Sequence, residues 1–264
     1  MTLFQDLRYA IRLLLRDRWF TAVAAVVLAL GIGANNAVFT IVNAVLLRSM
    51  PFHDPEQLVV MLTRDARGRQ SGVSLPDFED WRSSSRTLSG MSIVFSGSFN
   101  VADEGRIPEQ YPGAYVSANY YKMIGITPIL GRDFGPEDDV PGGPPVVMLS
   151  NAVWQQRFGG APDVLGTQVR LNGITATVIG VMPQGLGFPQ GEQIWLPMSQ
   201  FPPALRQQPR QARNYFVIGR LAGGVTIEQA RAELSAIGSA LASKYPDSNK
   251  DLSPYPDPDR KSVV

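Results

Sequence analysis

Residues 19–47 read WFTAVAAVVLALGIGANNAVFTIVNAVLL, 29 positions without one charged side chain. Coiled into a helix, that run would extend about 44 Å, against roughly 30 Å for the hydrocarbon core of a bilayer. Outward from it, four arginines (Arg8, Arg12, Arg16 and Arg18) precede the run, while Arg48 alone follows before Arg64. Basic flanks stay on the cytoplasmic side. The pattern therefore predicts a cytoplasmic N-terminus, one transmembrane helix and a large extracytoplasmic domain. A cleaved secretory signal is the rival reading, but its apolar region spans about 7–15 residues and ends at a small-x-small site. The run here is far longer, and Ala34-Asn35-Asn36-Ala37 fits such a site poorly. A retained anchor is favoured.

Within the span, Thr21, Ala25, Ala29, Gly33 and Ala37 recur every four residues. Such a stripe lets helix backbones approach closely where lipid supplies no hydrophobic drive. Asn35, Asn36, Thr40 and Asn43 add polar groups to the outer half, so packing against another helix is expected, from a second copy or from other spans. Residues 1–18 place Leu3, Phe4, Leu7, Ile11, Leu14 and Leu15 at helical spacing with Arg8, Arg12 and Arg16 on another side. That is an amphipathic cytoplasmic helix suited to the inner leaflet. Whether it serves only as a topology signal or also contacts a cytoplasmic partner stays open. The outermost turns of 19–47 would emerge from the bilayer as a stalk.

Beyond Arg48 the balance is 19 basic to 21 acidic residues, with no basic block to seek nucleic acid. Cysteine is absent, which removes disulfides and thiolate chemistry. The single histidine, His53, lies among Pro51, Phe52, Asp54 and Pro55 and reads as a turn residue; no Gly-x-Ser-x-Gly accompanies it. No zincin, Walker A or calcium-loop motif is present, and Gly31-Ile32-Gly33 is a packing feature inside the span. The cluster Glu137, Asp138 and Asp139 could bind a cation, although such loops are usually solvated. Trp81, Trp154 and Trp195 read as core anchors. No enzyme, cofactor or metal is indicated.

The outer domain alternates short elements. Leu58–Leu62 reads as a buried strand, and Ser74-Leu75-Pro76-Asp77 as a helix start whose apolar face carries Phe78, Trp81 and Leu88. Strands are expected from Ile93 and over Tyr111–Val116 around a tip at Asp103-Glu104-Gly105. A short helix follows over 117–123 with Gly125 as its stop, then a loop from Gly135 to Pro145, a strand at Val146–Leu149 and a helix at Trp154–Phe158. Val169–Ile179 flanks Asn172-Gly173, the preferred pair for a tight hairpin. A strand over 214–221 and a helix capped by Thr226 with Gln229 follow. The class is α+β. Proline at 246, 254, 256 and 258 predicts that residues 249–264 form a disordered or aberrant tail without a closing strand.

The order of motifs resembles a known family. Asp6-Leu7-Arg8-Tyr9-Ala10-Ile11-Arg12, Leu28-Ala29-Leu30-Gly31-Ile32-Gly33-Ala34-Asn35 and Val42-Asn43-Ala44-Val45-Leu46-Leu47-Arg48 lead outward to Ser74-Leu75-Pro76-Asp77-Phe78, Val116-Ser117-Ala118-Asn119-Tyr120, Gly131-Arg132-Asp133-Phe134, Arg157-Phe158-Gly159-Gly160, Leu171-Asn172-Gly173 and Gly180-Val181-Met182-Pro183. The series is similar to the N-terminal part of a MacB-type, FtsX-like ABC transporter permease, especially the large Acidobacterial type. The resemblance implies a bacterial inner-membrane permease subunit that works with a separate ABC ATPase and transmits ATP-driven motion to the envelope for export. It divides the chain into a cytoplasmic helix (1–18), a transmembrane helix and stalk (19–47), an incomplete periplasmic core domain (48–248) and the tail (249–264). The family continues into three further membrane helices, so a truncated product is expected. The residues expected to pack in the membrane are Ala25, Ala29, Gly33, Ala37 and Asn36. The alternative is a single-span extracytoplasmic binding or adaptor module without transport activity.

Overall fold

A computed structural model describes residues 8, 16, 18–42, 52–102, 107–187 and 191–258. The chain divides into two compact units between Pro51 and Phe52. In the first, helix α1 runs Arg18–Val42 over 25 residues. Trp19, Phe20, Val26, Leu28 and Leu30 are exposed along it. Ala25, Ala29 and Gly33 are exposed on one side, as their four-residue spacing requires, and Asn36 is exposed as well. Ala37 lies in α1, but its side chain is outside the described residues, as are Asn43 and the apolar positions of the expected helix over 3–15. Among the described residues no helix is long and apolar enough to cross a membrane. The charge-free run continues past Val42 to Leu47.

Among the described residues, the second unit carries eleven strands in one sheet. In chain order it holds β1 (Leu58–Asp65), β2 (Gln70–Ser71), α2 (Leu75–Ser84), β3 (Leu88–Ala102), β4 (Glu109–Val116), α3 (Tyr120–Ile124), β5 (Leu130–Gly131), β6 (Val146–Leu149) and α4 (Asn151–Phe158). Then follow β7 (Gln168–Leu171), β8 (Ile174–Val181), β9 (Ile194–Pro197), α5 (Pro203–Arg206), β10 (Phe216–Leu221), α6 (Ile227–Lys244), α7 (Pro246–Asn249) and β11 (Leu252–Asp257). The mixed α/β content matches the α+β expectation.

Local signals account for most boundaries. Ser74 caps α2 by accepting from the Asp77 N–H at 3.2 Å, and Ser150 caps α4 the same way from Val153. Thr226 and Gln229 close a reciprocal capping box on α6. Asn172 and Gly173, with φ of 50° and 88°, form the two-residue turn that pairs Leu171 with Ile174. The tip at Asp103-Glu104-Gly105 falls outside the described residues, but its flanking strands pair antiparallel from Val94↔Val116 to Val101↔Glu109. Leu88 does not extend the α2 face as expected. It opens β3, because α2 stops at Ser85, whose N–H closes onto the Trp81 carbonyl.

Strand β3 is 15 residues long and belongs to two substructures. Its N-terminal half pairs with β10 and continues the order β11-β1-β10-β3. Helices α2 and α6 contribute Phe78, Trp81, Leu234 and Leu241 to the core of this half, with Met61, Ile93 and Val217 from the strands. Its C-terminal half pairs with both β4 and β7. Because β4 joins β9, β9 joins β6, β6 joins β8 and β8 joins β7, the ladder returns to β3 and closes a six-stranded ring. Closure removes the free edges a short sheet would expose. The ring is filled by a second cluster that includes Phe99, Val101, Leu149, Leu171, Val178 and Ile194. At Gly113 the backbone runs so close that a Cβ would sit 2.5 Å from the Ile194 carbonyl oxygen and 2.6 Å from the Phe99 ring. A third cluster, with Tyr120, Tyr121, Trp195 and Ile218, packs α3 onto the sheet.

One expectation is corrected outright. Residues 252–257 form a regular strand, antiparallel to β1, from Asp65↔Leu252 to Val60↔Asp257. Proline disrupts a ladder only where its missing N–H should point at a neighbour. Pro254 and Pro256 share one parity, so both gaps face the outer side of an edge strand, and Ser253, Tyr255 and Asp257 are left to bond β1. Both prolines are buried. Residues 259–264 lie outside the described residues.

Candidate functional site

The candidate residues for chemistry are dispersed over the domain. His53 donates its N–H to the Ile124 carbonyl at 3.1 Å, and its own carbonyl accepts from Arg220 at 2.6 Å. Its imidazole meets Asp54 at 3.0 Å and is three-quarters exposed, which suits a turn residue. Trp81 and Trp195 are fully buried, and Trp154 donates to the Ala161 carbonyl at 2.8 Å. Among the described residues no group of His, Asp and Glu is arranged to hold a metal ion.

Two of the three carboxylates of the acidic cluster are committed to the fold, while Glu137 stays 70% exposed. Asp138 is buried and accepts from both ends of the Arg132 guanidinium, at 2.5 and 2.9 Å. Asp139 accepts from the Ala118 N–H at 3.1 Å and the Ser199 N–H at 2.7 Å. Together they tie the loop before β6 to the segments beside α3 and β9. Burial lifts the Asp133 carboxyl in this loop to about 6; hydrogen bonds from the Phe134 and Lys122 backbone oppose the shift, and the Asp138 charge adds to it.

Two further carboxylates join segments far apart in sequence. Asp77, 1% exposed, pairs with Arg210 at 2.6 Å and with Arg213, and accepts from the Asn249 amide at 2.8 Å. Burial pushes its pKa up, but the three hydrogen bonds outweigh that and hold it below the usual value. Arg213 also donates to the Ser248 carbonyl at 3.0 Å, and Arg210 stacks on Tyr245. This cluster binds the start of α2 to the chain on both sides of α6. On α6, Glu233 accepts from the Arg86 and Thr87 N–H groups at 2.9 Å and from the Ser85 and Thr87 hydroxyls. Desolvation raises its pKa, yet these four donors draw it down to about 2. No short-range pattern marked Asp77 or Glu233; the only sequence signal was the capping motif around Ser74.

An open cleft of about 480 Å³ lies where α4 begins, lined by Ser150, Asn151, Gln155, Gln184, Glu192 and Gln193. The carboxylate contacts brace segments far apart in sequence. A family model described as the MacB-like periplasmic core domain matches residues 21–237. The chain belongs to that family.

MacB-like periplasmic core domains are part of ABC-type transporter permeases, a transport component rather than a catalytic one. Solved structures share the fold. A domain of a putative permease from Porphyromonas gingivalis superposes with a TM-score of 0.60 at 16% identity, covering 80% of this chain and 92% of that one. The periplasmic region of MacB from Actinobacillus actinomycetemcomitans gives 0.56 at 17% identity, over 77% and 90% of the two chains. The extracellular domain of the noncanonic ABC-type transporter YknZ from Gram-positive bacteria gives 0.54 at 13%, over 75% and 98%. No curated protein matches the chain significantly. In family terms, the second unit of this MacB-like chain is the extracytoplasmic domain of an inner-membrane protein.

Proposed function

We propose that the chain is the membrane-anchored, extracytoplasmic part of an ABC-type permease that moves mechanically and contains no catalytic residues. Membership of the MacB-like family carries this reading. Its mechanical side is supported by β3, which runs unbroken from the helix-backed sheet into the closed ring, so that displacement of one half is carried to the other through continuous backbone. The charge-free run 19–47 supplies the transmembrane anchor, with four arginines placing the N-terminus in the cytoplasm. ATP hydrolysis is assigned, on the family reading, to a separate ABC ATPase that works with this chain. Ala25, Ala29, Gly33 and Ala37, with Asn36, pack α1 against a second copy or other membrane helices.

The test is purification of the full chain from its native membrane in mild detergent. Co-purification of an ABC ATPase, together with cytoplasmic labelling of the N-terminus, is the expected outcome. A monomer without any ATPase would overturn the permease reading. It would leave the single-span binding or adaptor module, which the amide-lined cleft beside α4 favours.

A further inference from the structure

Strand β1 contains Leu58-Val59-Val60-Met61-Leu62-Thr63, six residues without charge, proline or glycine. Such a segment on a free sheet edge invites pairing with an identical segment. Here the edge from Val60 to Asp65 is occupied by the chain's own β11, which lies beyond the residues matched by the family model. Three contacts hold it down. Pro254 packs into a notch in α6 that exists because residue 238 is glycine, and a Cβ there would come 2.5 Å from the Pro254 ring. The Tyr255 ring lies 3.7 Å from the Arg64 guanidinium and 5.3 Å from that of Arg231. Asn249, just upstream, bonds the buried Asp77. The outer side of β11 offers carbonyl acceptors but no donors at Pro254 and Pro256, so a further strand cannot complete a ladder there.

We propose that β11 is an edge guard that covers β1 from Val60 to Asp65 and terminates the sheet, keeping the uncharged Val60–Thr63 from pairing with the same segment of a second copy. The occupant it excludes is another copy of this chain, joined edge to edge. The role is independent of transport.

The test compares the full chain in mild detergent with two variants, by light scattering against concentration and by amide exchange over 58–65 and 252–257. Pro254→Thr with Pro256→Thr restores two outward donors per edge. It should form assemblies larger than wild type at roughly a thousandfold lower concentration, the effect of four added backbone hydrogen bonds, two donated by each edge. Gly238→Val should displace Pro254, speed exchange over 58–65 and produce the same association. Near-UV circular dichroism of the buried Trp81 and Trp195 separates association of a folded chain from unfolding. If Gly238→Val unfolds, the double-threonine variant decides alone. A folded double-threonine variant whose assembly equals wild type at every concentration overturns the proposal, whether its strand 252–257 is protected or released, because either state bares an unguarded edge.

Discussion

Replacing Asp77 by asparagine tests the brace that joins α2 to the chain on both sides of α6. The carboxylate is 1% exposed, Arg213 9% and Arg210 15%, so the substitution takes the Asp77 charge away from two guanidinium groups largely shielded from water. Breaking a buried pair from one side costs about 3–5 kcal/mol. The low end applies, because Arg210 keeps Asp80 at 2.7 Å. For a domain of this size a loss of about 3 kcal/mol lowers Tm by roughly 6–12 °C. Thermal unfolding of the full chain in mild detergent, followed by tryptophan fluorescence at pH 7, reads that shift. The sign with pH follows from the depressed pKa. Asp77 contributes fully above its ordinary value of 3.8 and loses that contribution as pH falls through the lower folded-state value. Wild type and Asp77→Asn should therefore converge in strong acid. A Tm loss below about 2 °C at pH 7, or a gap that persists undiminished in acid, would refute the argument.

Other substitutions probe separate parts of the fold. Asp133 has the opposite sign: its folded-state pKa is raised to about 6, so the protonated form suits the fold and ionisation above that pH costs stability. Asp133→Asn should stabilise the chain by about 1–2 kcal/mol at pH 7.5, after allowance for partial exposure, and do nothing at pH 3, as parallel melts would show. Gly113→Ala forces a methyl group against the Ile194 carbonyl and the Phe99 ring. A cost of about 1–3 kcal/mol is expected by denaturant titration, with exchange rising first in β4 and β9. In the membrane, Ala29→Leu should reduce disulfide cross-linking between cysteines introduced near the end of α1, whereas Leu28→Ala should not, because only the first lies on the small-residue stripe.

What the sequence disclosed and what it hid divide along a physical line. Ser74, Thr226 with Gln229, and Asn172-Gly173 each act within four residues of themselves, so their caps and turn were legible in the sequence, whereas the helix expected from Trp154 begins at Asn151 behind a Ser150 cap. Closure of the ring was not, because β7 reaches β3 through Val101↔Leu171 and Ala102↔Arg170, pairs about 70 positions apart that no periodicity encodes. The Asp77–Asn249 bond spans 172 positions and was equally silent. The acidic loop misled for a related reason: three successive carboxylates look alike in sequence, and only the arrival of Arg132, Ala118 and Ser199 gives two of them separate structural duties. Proline in β11 is the sharper case. The rule that proline excludes a strand presumes a neighbour on both sides, and whether a neighbour exists is a property of the whole sheet. Two prolines of equal parity meet that rule's exception twice at once, since every missing donor falls on the same side. Gly238 supports the same conclusion from the opposite wall: a glycine in the middle of a helix costs about 1 kcal/mol, a loss that makes sense here as the room Pro254 occupies. The spacing of Pro254 and Pro256, together with a mid-helix glycine upstream, was therefore a readable signature of an edge strand packed on a helix, although neither feature signals it alone.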